Sequence, residues 1–105
     1  MPDDNQIDIP ASFITLFVAP GRQKPSEPRH VVADRYELCE DMATMLTETA
    51  KNMQFSLGIS EHEVLVRIQR GLTGDDAVVS VREAQWVMQR LAELLDWEIN
   101  TTLLA

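Results

Sequence analysis

The chain has 105 residues, 45% hydrophobic and 25% charged, with a formal net charge of −8 and a sequence pI near 4.5. That length suits a single domain able to bury a core without staples, and the composition argues against wholesale disorder. The charge divides as −1, −3, −2 and −2 over residues 1–30, 31–58, 59–79 and 80–105, so no acidic tail stands out, and general binding to nucleic acid or an anionic membrane is disfavoured.

The single cysteine permits no internal disulfide, which fits a reduced compartment. The acidic start Met1-Pro2-Asp3-Asp4-Asn5 leads into no long apolar run, so no secretory signal is expected. The longest low-polarity stretch, Phe13 to Ala19, is far short of the ~20 residues that span a membrane. A soluble, cytoplasmic protein with no membrane partner is the expectation.

Residues 1–8 are polar, acidic and without period, and are expected to fray. Ile7, Ile9, Phe13, Leu16 and Phe17 follow. Ile9, Phe13 and Phe17 fit a short helix, with Pro10 tolerated in its first turn, and the same run also suits an extended arm. A helix over about Ala11 to Val18 is favoured, ended by Pro20-Gly21. Its aromatics need burial, against the next helix or against a partner. Residues 20–28, with Pro20, Gly21, Pro25 and Pro28, form a stiff, partly polyproline-like connector. This is the only locally basic stretch. Arg22, Lys24 and Arg29 are expected to fold back near Glu37, Glu40 and Asp41 or to stay in water, and no Gly-rich phosphate cradle accompanies them.

Glu27 to Leu57 dominates the chain. Val32, Tyr36, Cys39, Ala43, Leu46, Ala50, Met53 and Leu57 recur at alternating spacings of 4 and 3, which is one helix face. A second apolar row, Leu38, Met42 and Met45, predicts neighbours on two sides. Ser26 is the candidate N-cap. An unbroken helix here would be ~45 Å long, so it either breaks near Val31 to Arg35 or protrudes and pairs with a second copy.

Gly58-Ile59-Ser60 is the clearest local signal. Gly58 suits a left-handed helix end, Ile59 can fold back on Met53, and Ser60 caps the next helix with Glu63 three residues on. That helix is expected from Glu61 to Arg70, with Val64, Leu65, Ile68 and Leu72 inward and Gly71 or Gly74 as its stop. Ser80 with Glu83 forms another capping box, opening a helix from Val81 to Leu95 that turns Val81, Ala84, Val87, Met88, Leu91, Leu94 and Leu95 inward. Asp96 to Ala105, with Trp97, Ile99, Leu103 and Leu104, either docks or frays.

Gly58, Ile59 and Val64 match the turn of a helix-turn-helix DNA reader. Gln54 stands where that motif wants a small residue, however, and the helix after the turn opens with Glu61, His62 and Glu63, which repel phosphates. A tight αα-corner uses the same backbone chemistry and is preferred. Glu37, Glu40 and Asp41 read as a solvated acidic face, since a di-metal site needs Glu-x-x-His pairs. His30 and His62 lack partners at ligand spacing. Cys39, on the core stripe among carboxylates, reads as an inert buried thiol. Trp86 falls opposite Met88 among Arg82, Gln89, Arg90 and Glu93. Either it is an outward interface anchor, or the N-terminal aromatics or the C-terminal tail fold over it.

Arg35-Tyr36-Glu37-Leu38-Cys39-Glu40-Asp41, with Ile9-Pro10, Ser12-Phe13-Ile14, Pro20-Gly21-Arg22 and Leu46-Thr47-Glu48, resembles a family of small bacterial proteins of unknown role. Some members of that family carry the label "ATPase with chaperone activity". The resemblance covers most of the chain, and no site residue transfers from it. The ATPase part does not carry over, because the chain has no phosphate-binding loop and no Lys-Ser/Thr pair for nucleotide and Mg²⁺.

The residues therefore predict an all-α domain of three main helices in a bundle-like arrangement, behind an apolar arm or short helix. No Ser/His/Asp set, C-x-x-C or G-x-G-x-x-G is present, so no enzyme and no cofactor or metal is expected. The functional expectation is a protein-interaction module, a homo-oligomer or small subunit, with Phe13, Phe17, Tyr36, Met42, Trp86 and Arg90 as candidate interface residues. The alternatives are a helix-turn-helix regulator of nucleic acid and an acidic mimic that occupies a basic protein surface.

Overall fold

A computed structural model describes residues 8–99. Among them the fold is all-α: α1 (Ala11–Ile14) runs into a 3-10 turn (Thr15–Phe17), followed by α2 (Arg29–Leu57), α3 (Glu61–Leu72) and α4 (Val81–Leu95). Of the start expected to fray, residues 1–8, all but Asp8 lie outside the described part, as do the tail residues Leu103 and Leu104. No described helix is long and apolar enough to cross a membrane.

The long helix does not break. α2 is continuous for 29 residues, about 43 Å at 1.5 Å per residue. It starts at Arg29, later than Ser26 would allow, and the carbonyl of Pro28 accepts the first bonds, from the N–H groups of Val31 (3.0 Å) and Val32 (3.1 Å). The cause is steric: a residue before proline is pushed out of the helical region, so Glu27 cannot join. Ser26 is used elsewhere, its N–H donating to the carbonyl of Phe17 at 2.7 Å.

The chain divides into two compact units, Met1–Leu38 and Cys39–Ala105, and α2 contributes to both. In the first, the favoured short helix is present, ending as a 3-10 turn. Phe13 is fully buried, with its ring centroid 5.6 Å from Phe17 and 5.6 Å from Tyr36, the latter edge-to-face. Such pairs add roughly 0.5–1.5 kcal/mol beyond area burial.

In the second unit, Ala50 of α2, Val64, Leu65 and Ile68 of α3, and Met88 and Leu91 of α4 form one core. Leu46, Met53, Ile59, Leu72, Leu95, Trp97 and Ile99 pack against it. Local chemistry sets the corners. Gly58, at φ 62°, closes α2 through its N–H to the carbonyl of Gln54. Ser60 accepts from the N–H of Glu63 (3.1 Å), but the Glu63 carboxylate turns to Arg67 instead of completing a capping box. At α4 the box is complete: the Ser80 side chain accepts from Glu83 N–H (3.0 Å), and the Glu83 carboxylate accepts from Ser80 N–H (2.9 Å). That reciprocity is how Glu83 tolerates burial.

Two expectations fail for tertiary reasons, and one left open is decided. α3 runs through Gly71 to Leu72, because docking Leu72 on the core offsets the ~1 kcal/mol helix cost of one glycine. Val81 (64% exposed) and Leu94 (39%) lie outward, in the first and last turns of α4, at the margins of its buried face. Trp86, read as either an outward anchor or a covered side chain, is buried at 8% exposure, so α4 is covered well beyond one stripe. The tail docks at least through Ile99. Asp96 takes the left-handed position (φ 58°) while the Trp97 N–H reaches back to the Ala92 carbonyl at 2.9 Å, a Schellman end that turns Trp97 onto the core.

Candidate functional site

The six candidate interface residues separate on burial. Phe13 and Trp86 are buried and present no free face, whereas Phe17, Tyr36 and Met42 are half-buried. Arg90 is also half-buried, and it works as an internal clamp. Its Nε donates to Glu40 Oε1 at 2.9 Å, its Nη2 to Glu40 Oε2 at 3.0 Å and its Nη1 to Glu93 Oε1 at 3.1 Å. The two-pronged bond to Glu40, first among the causes, holds the guanidinium firmly in its charged form. Glu40 and Arg90 are 50 positions apart, joining α2 to α4, and spacing along one helix carries no sign of that pairing.

The outer surface of α2 shows what the apolar stripes did not. At helical spacing, Asp41, Met45, Glu48, Asn52 and Phe55 fall in one row at i, i+4, i+7, i+11 and i+14, a heptad pattern on the side away from Cys39, Ala43 and Ala50. All five are exposed. Met45 is 69% and Phe55 91% exposed, separated by ten residues, or ~15 Å along the axis. Phe55 belongs to neither apolar row that the sequence presents. Its isolation between Gln54 and Ser56, off the buried stripe, was the signal that could have found it.

Shallow concavities also open among the described residues. One, of about 460 Å³, is lined by Ala19, Arg22, Gln23, Lys24, Pro25 and Ser26. Another of similar size has Glu61, His62, Glu98 and Ile99 on its walls. The third, about 180 Å³ and mainly apolar, lies among Ile9, Ile14, Pro25 and Val32, with Glu27 and Arg29 at its rim. Among the described residues no group of three or more His, Cys, Asp or Glu side chains is placed to hold a metal ion, and no buried side-chain nitrogen or oxygen lacks a partner. Cys39 is a buried thiol on the inner stripe, in no disulfide.

No protein-family model, curated protein or solved structure matches the chain. The class that the geometry defines is an all-α bundle-like protein in which the two most exposed large apolar groups among the described residues, Phe55 and Met45, stand on one helix.

Proposed function

We propose that this chain is a non-enzymatic protein-interaction module that self-associates through the outer row of α2. The exposure of Met45 and Phe55 on a continuous helix carries this reading. Two copies of the row are complementary when the helices run antiparallel about a two-fold axis. With residue numbers of opposing positions summing to 100, Met45 meets Phe55 of the second copy and Glu48 meets Asn52, each twice. A methionine sulfur against an aromatic ring contributes about 0.3–1.5 kcal/mol, and the Glu48–Asn52 contact supplies a hydrogen bond. A parallel alignment would instead set Glu48 against Glu48.

A contact between two helices over some fifteen residues is small, below the ~1,200 Å² of a standard stable interface, so the dimer is weak and reversible. Each copy carries −8, so repulsion opposes association and added salt strengthens it by screening. The register is tested by oxidising a Glu48→Cys/Asn52→Cys variant at high protein concentration. Antiparallel pairing gives a covalent dimer from the double variant and none from Asn52→Cys alone. The reverse pattern, or no cross-linking in either, contradicts the proposal. Buried Cys39 does not compete.

A further inference from the structure

We propose that the loop from Ala19 to Ser26 binds a dianionic phosphate group, independently of the contact surface on α2. Four of the six residues lining its concavity carry side-chain donors: the Arg22 guanidinium, the Lys24 ammonium, the Gln23 amide and the Ser26 hydroxyl. From Ile9 to Ser26 the charged residues are Arg22 and Lys24 alone. In an acidic chain this span carries only positive charge, with Asp8 and Glu27 just outside it. Neither makes an ion pair or side-chain hydrogen bond among the described residues, whereas Arg67 is held by Glu63 and Arg90 by Glu40 and Glu93. Of the two outcomes expected for Arg22 and Lys24, exposure to water is the one observed.

The loop is shaped before any ligand arrives. The Arg22 N–H closes a turn on the Ala19 carbonyl at 3.0 Å, and Ser26 N–H ties the far end to Phe17 at 2.7 Å. Gly21 supplies the positive φ (80°) that the turn needs, and Pro20 and Pro25 fix their own φ. A prearranged loop loses less freedom on binding, which is how a site without the glycine-rich cradle of nucleotide enzymes can still hold an anion. The arginine fork matches two phosphate oxygens, the lysine adds a point charge, and the pair neutralises a dianion where a lone carboxylate would leave one charge unmatched. Long polyanions are opposed by the surrounding net charge.

The test is a titration of the ¹⁵N-labelled chain with inorganic phosphate and, separately, O-phosphoserine, at constant ionic strength set by sodium chloride. The expected result is saturable shifts confined to residues 19–26, with a Kd of roughly 1 mM or tighter, and an Arg22→Gln/Lys24→Gln variant that binds at least about tenfold more weakly. Both side chains are exposed, so the variant keeps its helical circular dichroism and its spectrum elsewhere. Tighter binding of O-phosphoserine assigns the site to phosphate monoesters, and equal or weaker binding assigns it to free phosphate. Shifts reproduced by chloride alone, equal affinity for acetate, or undiminished binding by the double variant would overturn the proposal.

Discussion

The two faces of α2 between Cys39 and Leu57 reverse the usual sorting of side chains by size. The inner face buries its small residues completely, Cys39, Ala43 and Ala50 all at 0% exposure, while the outer face leaves Met45 and Phe55 in water. Small inner residues leave room for large partners, and the core volume comes from Leu65, Met88 and Leu91 of α3 and α4. The fold thus uses this stretch of α2 as a thin wall, with Leu46 and Met53 at the edge of the core, and Met45 and Phe55 are left outside it. Inner substitutions should therefore act on stability alone, and outer ones on association alone.

The largest expected effect lies across from the wall. Leu65→Ala removes a fully buried side chain from the shared core and should cost about 2–5 kcal/mol in chemical denaturation. Ala50→Leu adds volume where there is none, and a loss of about 1–3 kcal/mol is expected from the same measurement. A loss below ~0.5 kcal/mol would mean that the wall is loosely packed. Arg90→Met breaks the clamp to Glu40. Because both groups are partly exposed, the expected cost is about 1 kcal/mol or less, read as a lowered denaturation midpoint. Smallest is the outer pair: Met45→Ser with Phe55→Ser should change monomer stability by no more than about 0.5 kcal/mol.

Much of this wall was legible from spacing. Val32, Cys39, Ala43 and Ala50 were placed inward by the alternating period and are buried, and the signals at Gly58, Ser60 and Ser80 set helix boundaries as local chemistry predicts. Leu57, the last of that row, is 53% exposed because the stripe runs out at the helix end. What spacing left open or missed depended on partners distant in sequence. Trp86 is polar-flanked and looks outward on a helical wheel, yet it is buried, and Arg90 finds Glu40 fifty residues away. The start of α2 was misplaced by following a good capping residue, Ser26, past the stronger steric veto of Pro28. The outer row is not legible from apolar spacing: Met45 reads as the end of the row of Leu38 and Met42, Phe55 falls in neither row, and Glu48 and Asn52 stand between them.

Sedimentation equilibrium over about 10 µM to 1 mM, the range that brackets weak association, tests the central claim most directly. The native chain should shift from monomer towards dimer as concentration rises, more so at high salt, while the Met45→Ser/Phe55→Ser variant stays monomeric throughout. A native chain that remains monomeric at the top of that range in high salt, or a variant that dimerises as readily as the native chain, would contradict the account.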